Sequence, residues 1–328
     1  MRIKIFIILT VFCFNLITAQ QQTLFTNIAL HQYLYNPAYA GVFKGTQFNA
    51  SYRNQWTGFE GAPQNLVASG YGIFKKRPNM AAGGVIINDK SGLLQRTSFY
   101  ASYAYHLKLS KKLNVSFGLS AGGVQYNVKI YNAKPYDKDD EFLKNNILNA
   151  NAFDANAGLY LYSKKFFFSF SSQQLVNGKI YWKDTRGKLT PHVYINSGYS
   201  FTLDKKKKEW VLQPSILMRF NNPSPYQIEA TLKTIYKDMV WLGGGYRFGS
   251  SAYAMIGTTI SKQFTFGYSY DYSTTALQKY SSGSHEIILT YSLASKKKLT
   301  ASEKVLGADE DEFNNIDNSM KSNLKKKL

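Results

Sequence analysis

The chain reads as an all-β protein, a transmembrane antiparallel β-barrel of about fourteen strands with both ends on the periplasmic side. Three observations predict this. From Phe264 to Tyr272 every second residue is aromatic (Phe264, Phe266, Tyr268, Tyr270, Tyr272), and Thr265, Gly267, Ser269 and Asp271 lie between them. A period of two puts the rings on one face of a strand and the polar residues on the other, and the pattern recurs along the chain. The connections alternate between long ones and tight, basic ones, as outer loops and periplasmic turns do in outer-membrane barrels. Finally, no run of about eighteen apolar residues exists, which excludes a membrane-spanning helix.

The first element is a secretory signal over residues 1–19. Arg2 and Lys4 form the positive start, Ile5 to Ile17 a largely apolar core, and Thr18-Ala19-Gln20 a small-residue cleavage site. Its core is too short to span a bilayer. The single cysteine, Cys13, lies in that core, so the mature chain is expected to have no disulfide, thiolate metal site or cysteine nucleophile. Residues 20–43 follow, with Ile28-Ala29-Leu30 and Tyr33-Leu34-Tyr35 ahead of Asn36-Pro37. This segment is too apolar for a free tail, and it is expected to pack in the lumen or against the periplasmic mouth.

The barrel occupies residues 44–293. Alternation and turn residues place strands near 44–53, 64–74, 80–88, 96–108, 112–127, 153–162 and 165–172. The remainder lie near 191–203, 208–221, 225–235, 237–247, 250–260, 262–272 and 284–293. Leu159/Leu161, Phe166/Phe168/Phe170, Ile195/Tyr199/Phe201 and Ile287/Leu289/Tyr291 are expected to face lipid. Asn156, Ser169, Asn196, Ser200, Thr290 and Ser292 are expected to face inward. Long connections are expected at 54–63, 89–95, 128–152, 173–190 and 273–283. The tight turns carry Lys75-Lys76-Arg77, Ser110-Lys111, Ser163-Lys164, Lys205 to Lys208, Lys237 and Lys262. A soluble sandwich or propeller would leave this parity unexplained. Residues 294–328, with lysine runs around the acidic stretch Asp309 to Glu312, form a mixed-charge periplasmic tail.

The formal net charge of +20 would suggest nucleic acid for a cytosolic protein. The export signal argues against that partner. No catalytic constellation is visible: His31, His106, His192 and His285 are scattered without metal-ligand spacing, and no cofactor motif is present. Gly83-Gly84 and Gly243 to Gly245 do not precede helices, so they do not read as phosphate loops.

Charges do fall on the inward faces. They are Arg53, Asp154, Arg219, Glu229, Lys233, Arg247, Asp271 and Glu286, with His106. Two roles stand open for them, an ion-pair network that plugs the lumen and a polar channel or binding site for an inserted peptide. The loop 54–63 carries Trp56 and Phe59 among glycines and Pro63, either as an interfacial or mouth-filling turn or as a protein-docking surface. Lys205, Lys206, Lys207 and Lys208 are either a solvated rim or an electrostatic platform for acidic periplasmic partners.

Ordered motifs then carry a family resemblance. Asn36-Pro37-Ala38-Tyr39-Ala40-Gly41 is followed by Arg53-Asn54-Gln55-Trp56 with Gly61-Ala62-Pro63, and by Asn88-Asp89 with Gly92. Tyr103 to Leu107, Phe117-Gly118-Leu119 with Gly122, Tyr270-Asp271-Tyr272 and Gly283-Ser284-His285-Glu286 come after them in order. Together they resemble the PorP/SprF family over essentially the whole mature chain up to Leu293. The resemblance implies a non-enzymatic outer-membrane barrel of the type IX secretion and gliding-motility machinery of Bacteroidota. Its implied partners are outer-membrane lipid, periplasmic secretion components and large secreted proteins such as adhesins. The competing expectation is an outer-membrane channel or transporter for small solutes or hydrophobic ligands, and a surface enzyme is poorly supported.

Overall fold

The computed structural model describes residues 25–28, 30–129, 147–176, 178–182, 185–204, 209–221, 224–261 and 263–294. The first half of the wall is β1 (Gly45–Asn54), β2 (Gln64–Phe74), β3 (Arg77–Ser91), β4 (Leu94–Lys108), β5 (Asn114–Lys129), β6 (Ile147–Tyr162) and β7 (Phe166–Gln173). A small hairpin, β8 (Lys179–Trp182) and β9 (Thr185–Lys188), forms a separate two-stranded sheet. The wall resumes with β10 (His192–Tyr199), β11 (Phe201–Thr202), β12 (Trp210–Asn221), β13 (Ser224–Tyr236), β14 (Val240–Arg247), β15 (Ser251–Ile260), β16 (Phe264–Ser273) and β17 (Ser284–Ala294).

Each wall strand pairs antiparallel with its neighbours in sequence. β1 pairs with β17, and β10 pairs with both β7 and β12, so the sheet closes on itself. β10 and β11 are two parts of one strand interrupted at Ser200, which makes the barrel fourteen-stranded, as the alternation predicts. Closure matters because hydrocarbon offers backbone groups no hydrogen-bond partners, and a barrel leaves no sheet edge facing it.

The two faces separate sharply. Phe99 and Leu119 are 61% and 67% exposed, and Leu66, Ile86, Leu242 and Leu289 are also exposed on the outer face. An apolar belt of this extent belongs in lipid. The inward residues expected from the alternation, Asn156, Ser169, Asn196, Ser200, Thr290 and Ser292, are all buried. No helix among the described residues is long and apolar enough to cross a membrane.

The connections need several corrections. The expected long loop 89–95 is a tight hairpin: β3 runs to Ser91 and β4 starts at Leu94, around Gly92 with φ +56°. Arg96 donates to Asp89 across the hairpin at 2.6 Å, so these charged residues belong to paired strands. β6 begins at Ile147, which shortens the expected 128–152 connection from both sides, and residues 130–146 lie outside the described set. The 173–190 connection contains the β8–β9 hairpin. β14 starts only at Val240, because Lys237 and Asp238 take left-handed turn conformations with φ +49° and +57°. The signal, Lys205 to Lys208 and the tail beyond Ala294 lie outside the described residues.

Residues 25–44 fill the lumen. Near the loop end, Thr26 and Asn27 meet β17; the chain then descends to Gly45 at the turn end. On the way it makes one helical turn, α1 (Gln32–Tyr35), and a 3-10 turn, Pro37–Tyr39. Asn36 links the two: its Oδ1 accepts from Ala38 N–H at 2.9 Å, and its Nδ2 donates to Ser169 Oγ at 2.8 Å and to Leu159 O at 2.9 Å. Pro37, with no N–H to lose, fits the start of the turn. Carbonyls left open by so short a helix are taken by the wall, with Ser171 Oγ donating to Tyr35 O and Gln173 Nε2 to Leu34 O, both at 2.7 Å. Tyr33 packs on Tyr71 at 4.4 Å between ring centroids, and Tyr39 meets Tyr160 edge-on at 5.3 Å.

The wall yields where this segment presses on it. A Cβ at Gly158 would sit 1.9 Å from Asn36 Oδ1, and one at Gly118 would sit 2.1 Å from the Ala38 nitrogen. The double substitution Gly118→Ala/Gly158→Ala is therefore expected to lift the segment from the wall, at a cost of roughly 1–3 kcal/mol. Limited proteolysis of the folded barrel would show new cleavage between Tyr33 and Tyr39. Unchanged protection with unchanged Tm would contradict this account of the glycines.

Candidate functional site in the lumen

Strand register brings five of the predicted inward charges into one network. Arg53 on β1 lies directly opposite Glu286 on β17, and Glu229 on β13 lies directly opposite Arg247 on β14. Such cross-strand neighbours share a face and are close enough to pair. Asp271 on β16 bridges the two pairs, accepting from Arg53 Nη2 at 2.7 Å and from Arg247 Nη1 at 3.2 Å. Arg53 also reaches Glu286 at 3.1 Å, and Arg247 Nε donates to Glu229 at 2.7 Å. Every member is at least 97% buried.

Two guanidinium groups here face three carboxylates. The surplus negative charge is directed at the lumen segment. Glu286 Oε2 accepts the Thr26 N–H at 2.6 Å, its Oε1 accepts the Asn27 N–H at 3.0 Å, and Thr26 Oγ1 donates to Asp271 at 2.6 Å. Charge-assisted bonds of this kind are about twice as strong as neutral ones. Tyr253 O–H completes the set by donating to Glu229 at 2.8 Å.

The other predicted lumen residues point inward but stand apart from this network. Asp154 accepts from Tyr100 O–H at 2.7 Å, and Arg219 donates to Gln227 at 2.7 Å. His106 lies between Ala40 O and Tyr162 Oη, at 2.8 and 3.0 Å, and so holds the lower part of the lumen segment. Lys233 is buried elsewhere in the lumen, 5.7 Å from the Trp241 ring centroid. Thr26, Asn27 and Tyr253 were not indicated by the sequence. The two backbone donors leave no trace in residue type, and a tyrosine in an alternating strand reads as an ordinary wall residue. No cluster of metal-ligating side chains occurs among the described residues.

Above the network a vestibule of about 540 Å³ opens toward the loop end, with Arg53, Arg247 and Asp271 in its floor. Asp89 and Arg96 line one side, and Gln55, Trp56 and Pro63 line another. Trp56 has φ +49°, a left-handed conformation that a tryptophan adopts only under constraint. The constraint is visible: Trp56 N–H donates to Ser284 Oγ at 3.1 Å, and Thr57 N–H donates to Gly283 O at 2.7 Å. Gln55 N–H closes the loop onto Pro63 O at 2.9 Å, and Gly92 N–H ties the next hairpin to Gly61 O at 2.9 Å. The family-motif residues Gln55, Trp56, Gly61, Pro63, Asp89 and Gly92 thus build one rim, whereas Asn36, Pro37 and Gly41 belong to the lumen segment. Gly41 takes φ +84° against Ala81 and His106. Phe59 stands 49% exposed at the loop tip.

Glu286→Gln replaces an acceptor of backbone N–H groups by an amide and removes a carboxylate from a buried guanidinium. Breaking a buried pair in this way is expected to cost on the order of 3 kcal/mol. It should lower Tm and raise amide exchange at Thr26 and Asn27 while the wall strands stay protected; equal exchange in both forms would argue against the clamp. Burial also pushes the His31 imidazole down to about 4 from 6.5. Its contribution is full above about pH 6.5, where both states are neutral. It is lost as pH falls toward about 4, because the unfolded segment binds the proton first. Protease sensitivity of the lumen segment should therefore rise between about pH 7 and about pH 5, and His31→Gln should flatten part of that rise.

The family model described as "Type IX secretion system membrane protein PorP/SprF" matches residues 17–291. No curated protein matches the chain. Among solved structures, the Pseudomonas putida toluene transporter TodX is 8% identical with a TM-score of 0.47, over 79% of this chain and 93% of that one. The CymD monoaromatic hydrocarbon channel is 10% identical with a TM-score of 0.48, over 81% and 94%. The KdgM porin is 9% identical with a TM-score of 0.38, over 75% and 99%. These are distant barrel likenesses, and nothing about function is drawn from them. The family match covers most of the chain, and the protein belongs to the PorP/SprF family of type IX secretion system membrane proteins.

Proposed function

We propose that this protein is a non-enzymatic outer-membrane docking component of type IX secretion, which receives a segment of an exported protein at its loop end. One observation carries the reading: the lumen is occupied by the chain's own segment and leaves a rigid, tryptophan-lined vestibule on one side. A barrel built this way offers a surface for binding more readily than a path for free passage. Trp56, held in a strained conformation, and Phe59, exposed beside it, are the anchors of that surface, since aromatic side chains dominate protein interfaces. Secreted adhesin-type proteins are the cargo that this reading assigns to the site.

In the same reading, residues 1–19 direct export, and the turn end with Lys205 to Lys208 and the tail from 294 to 328 faces the periplasm. There the lysines attract acidic periplasmic subunits of the machinery. Reversing the charge at Lys205 to Lys208 should weaken co-purification of those subunits, most clearly at low salt. Unchanged capture would overturn the proposed platform.

Deletion of the gene should leave at least one large secreted protein missing from the cell surface. Normal delivery of all type IX cargo would end the secretion proposal. Trp56→Ala and Phe59→Ala should reduce surface attachment of that cargo by about tenfold or more while barrel levels hold. The rival reading, a channel for small solutes, predicts steady open-pore currents from the purified wild-type barrel in a planar bilayer. The occupied lumen predicts none.

A further inference from the structure

Both ends of the wall, Gly45 and Ala294, lie at the turn end. The lumen segment begins at the other. Phe25 is 2% exposed, and its N–H donates to Tyr35 Oη on α1 at 3.0 Å. Thr26 and Asn27 are fastened to Glu286, near the loop end of β17. From there the chain descends through a packed lumen to β1. The cavities beside Phe25 and Thr26 inside the lumen measure about 40 and 30 Å³. Each has room for one or two waters and none for a second stretch of polypeptide. Above them the vestibule of about 540 Å³ opens from the floor of Arg53, Asp271 and Arg247. The chain that precedes Phe25 therefore has its way out through the vestibule.

The residues before Phe25 suit that place. With the export signal proposed at 1–19 removed, they are Gln20-Gln21-Gln22-Thr23-Leu24, with no charged side chain. The vestibule walls carry Gln55, Gln174, Gln227, Ser250 and Thr275. Amides and hydroxyls on both sides can exchange hydrogen bonds without needing a counter-charge. Five residues reach at most about 17 Å, too short to climb out of the mouth and return along the outside. We infer that the chain threads its own barrel: residues 20–24 occupy the vestibule, and the mature N-terminus is presented at the loop end, opposite both ends of the wall. The docking surface proposed above is then the rim around this segment. The inference itself does not use the cargo reading.

Single cysteines introduced into the full chain test this, since the native cysteine, Cys13, lies in the signal and wild type serves as the blank. Intact cells are treated with a membrane-impermeant maleimide, and labelling of the purified barrel is measured. Glu60→Cys at the loop end and Lys76→Cys in the β2–β3 turn, both at exposed positions, report which end faces outward. Gln21→Cys and Thr23→Cys should label from the same side as Glu60→Cys, about tenfold or more slowly because the vestibule walls shield them. Two positions are used so that one variant lost to signal processing leaves the other. Lys76→Cys should label only once the outer membrane is permeabilised. If the N-terminal cysteines labelled with Lys76→Cys instead, the threading would be overturned. Rates equal to that of Glu60→Cys would overturn the seat in the vestibule. A barrel facing the other way would exchange Glu60→Cys and Lys76→Cys and leave the comparison intact, so failure of the proposed orientation is distinguishable from failure of the threading.

Discussion

The carboxylate of Glu286 is the contact on which the rest of the architecture converges. It sits at the seam where the first wall strand meets the last, opposite Arg53. It also accepts two backbone N–H groups from the segment that occupies the lumen. Through Arg53 it reaches Asp271, and through Asp271 it reaches Arg247 and Glu229. One buried anion therefore ties together the seam, the lumen segment and the floor of the vestibule. In a barrel the outer face is committed to lipid, so a shape specific to one protein has to be built from inward residues.

That division explains what could be read from the sequence. Alternation at Phe264 to Tyr272 locates lipid without any knowledge of neighbours, because each ring responds to its own side of the sheet. The same logic turns Arg53, Glu229, Arg247, Asp271 and Glu286 away from lipid, and all five are buried. It could not say that these five would meet while Asp154, Arg219 and His106 would not, since that follows from register across strands far apart in sequence. The 89–95 segment failed for a different reason. Asp89 and Arg96 pair with each other across β3 and β4, and a partner seven residues away on the next strand is not visible in the alternation of either strand alone. The Asn-Pro-Ala-Tyr-Ala-Gly motif was legible as a family mark, but its meaning was not. Asn36 caps a 3-10 turn and sits in the glycine notch at 158, while the Pro37–Ala38 backbone sits in the one at 118, and those notches exist only once the wall has closed.

The family's motif residues divide between two places with distinct physical demands. Those in the lumen segment need conformational fit: a capping amide, a proline at a turn start and a glycine at positive φ. Those at the rim are held rigid, as the proposed docking role requires, because a binding surface loses affinity if its loops must be ordered when a partner arrives. Hydrogen bonds from Gln55, Trp56, Thr57 and Gly92 supply that order in advance. A barrel with an occupied centre and a stiff rim is organised around what happens at its two ends.

The Thr26–Glu286 contact joins residues 260 positions apart. The acceptor arrives on the last strand of the wall, so the earliest part of the lumen segment cannot be fastened until the final strand is in register. Contacts of such long sequence separation form late and slowly. The locked lumen thus depends on complete assembly: a barrel missing its last strand would lack Glu286 and leave the start of the interior segment without its carboxylate acceptor.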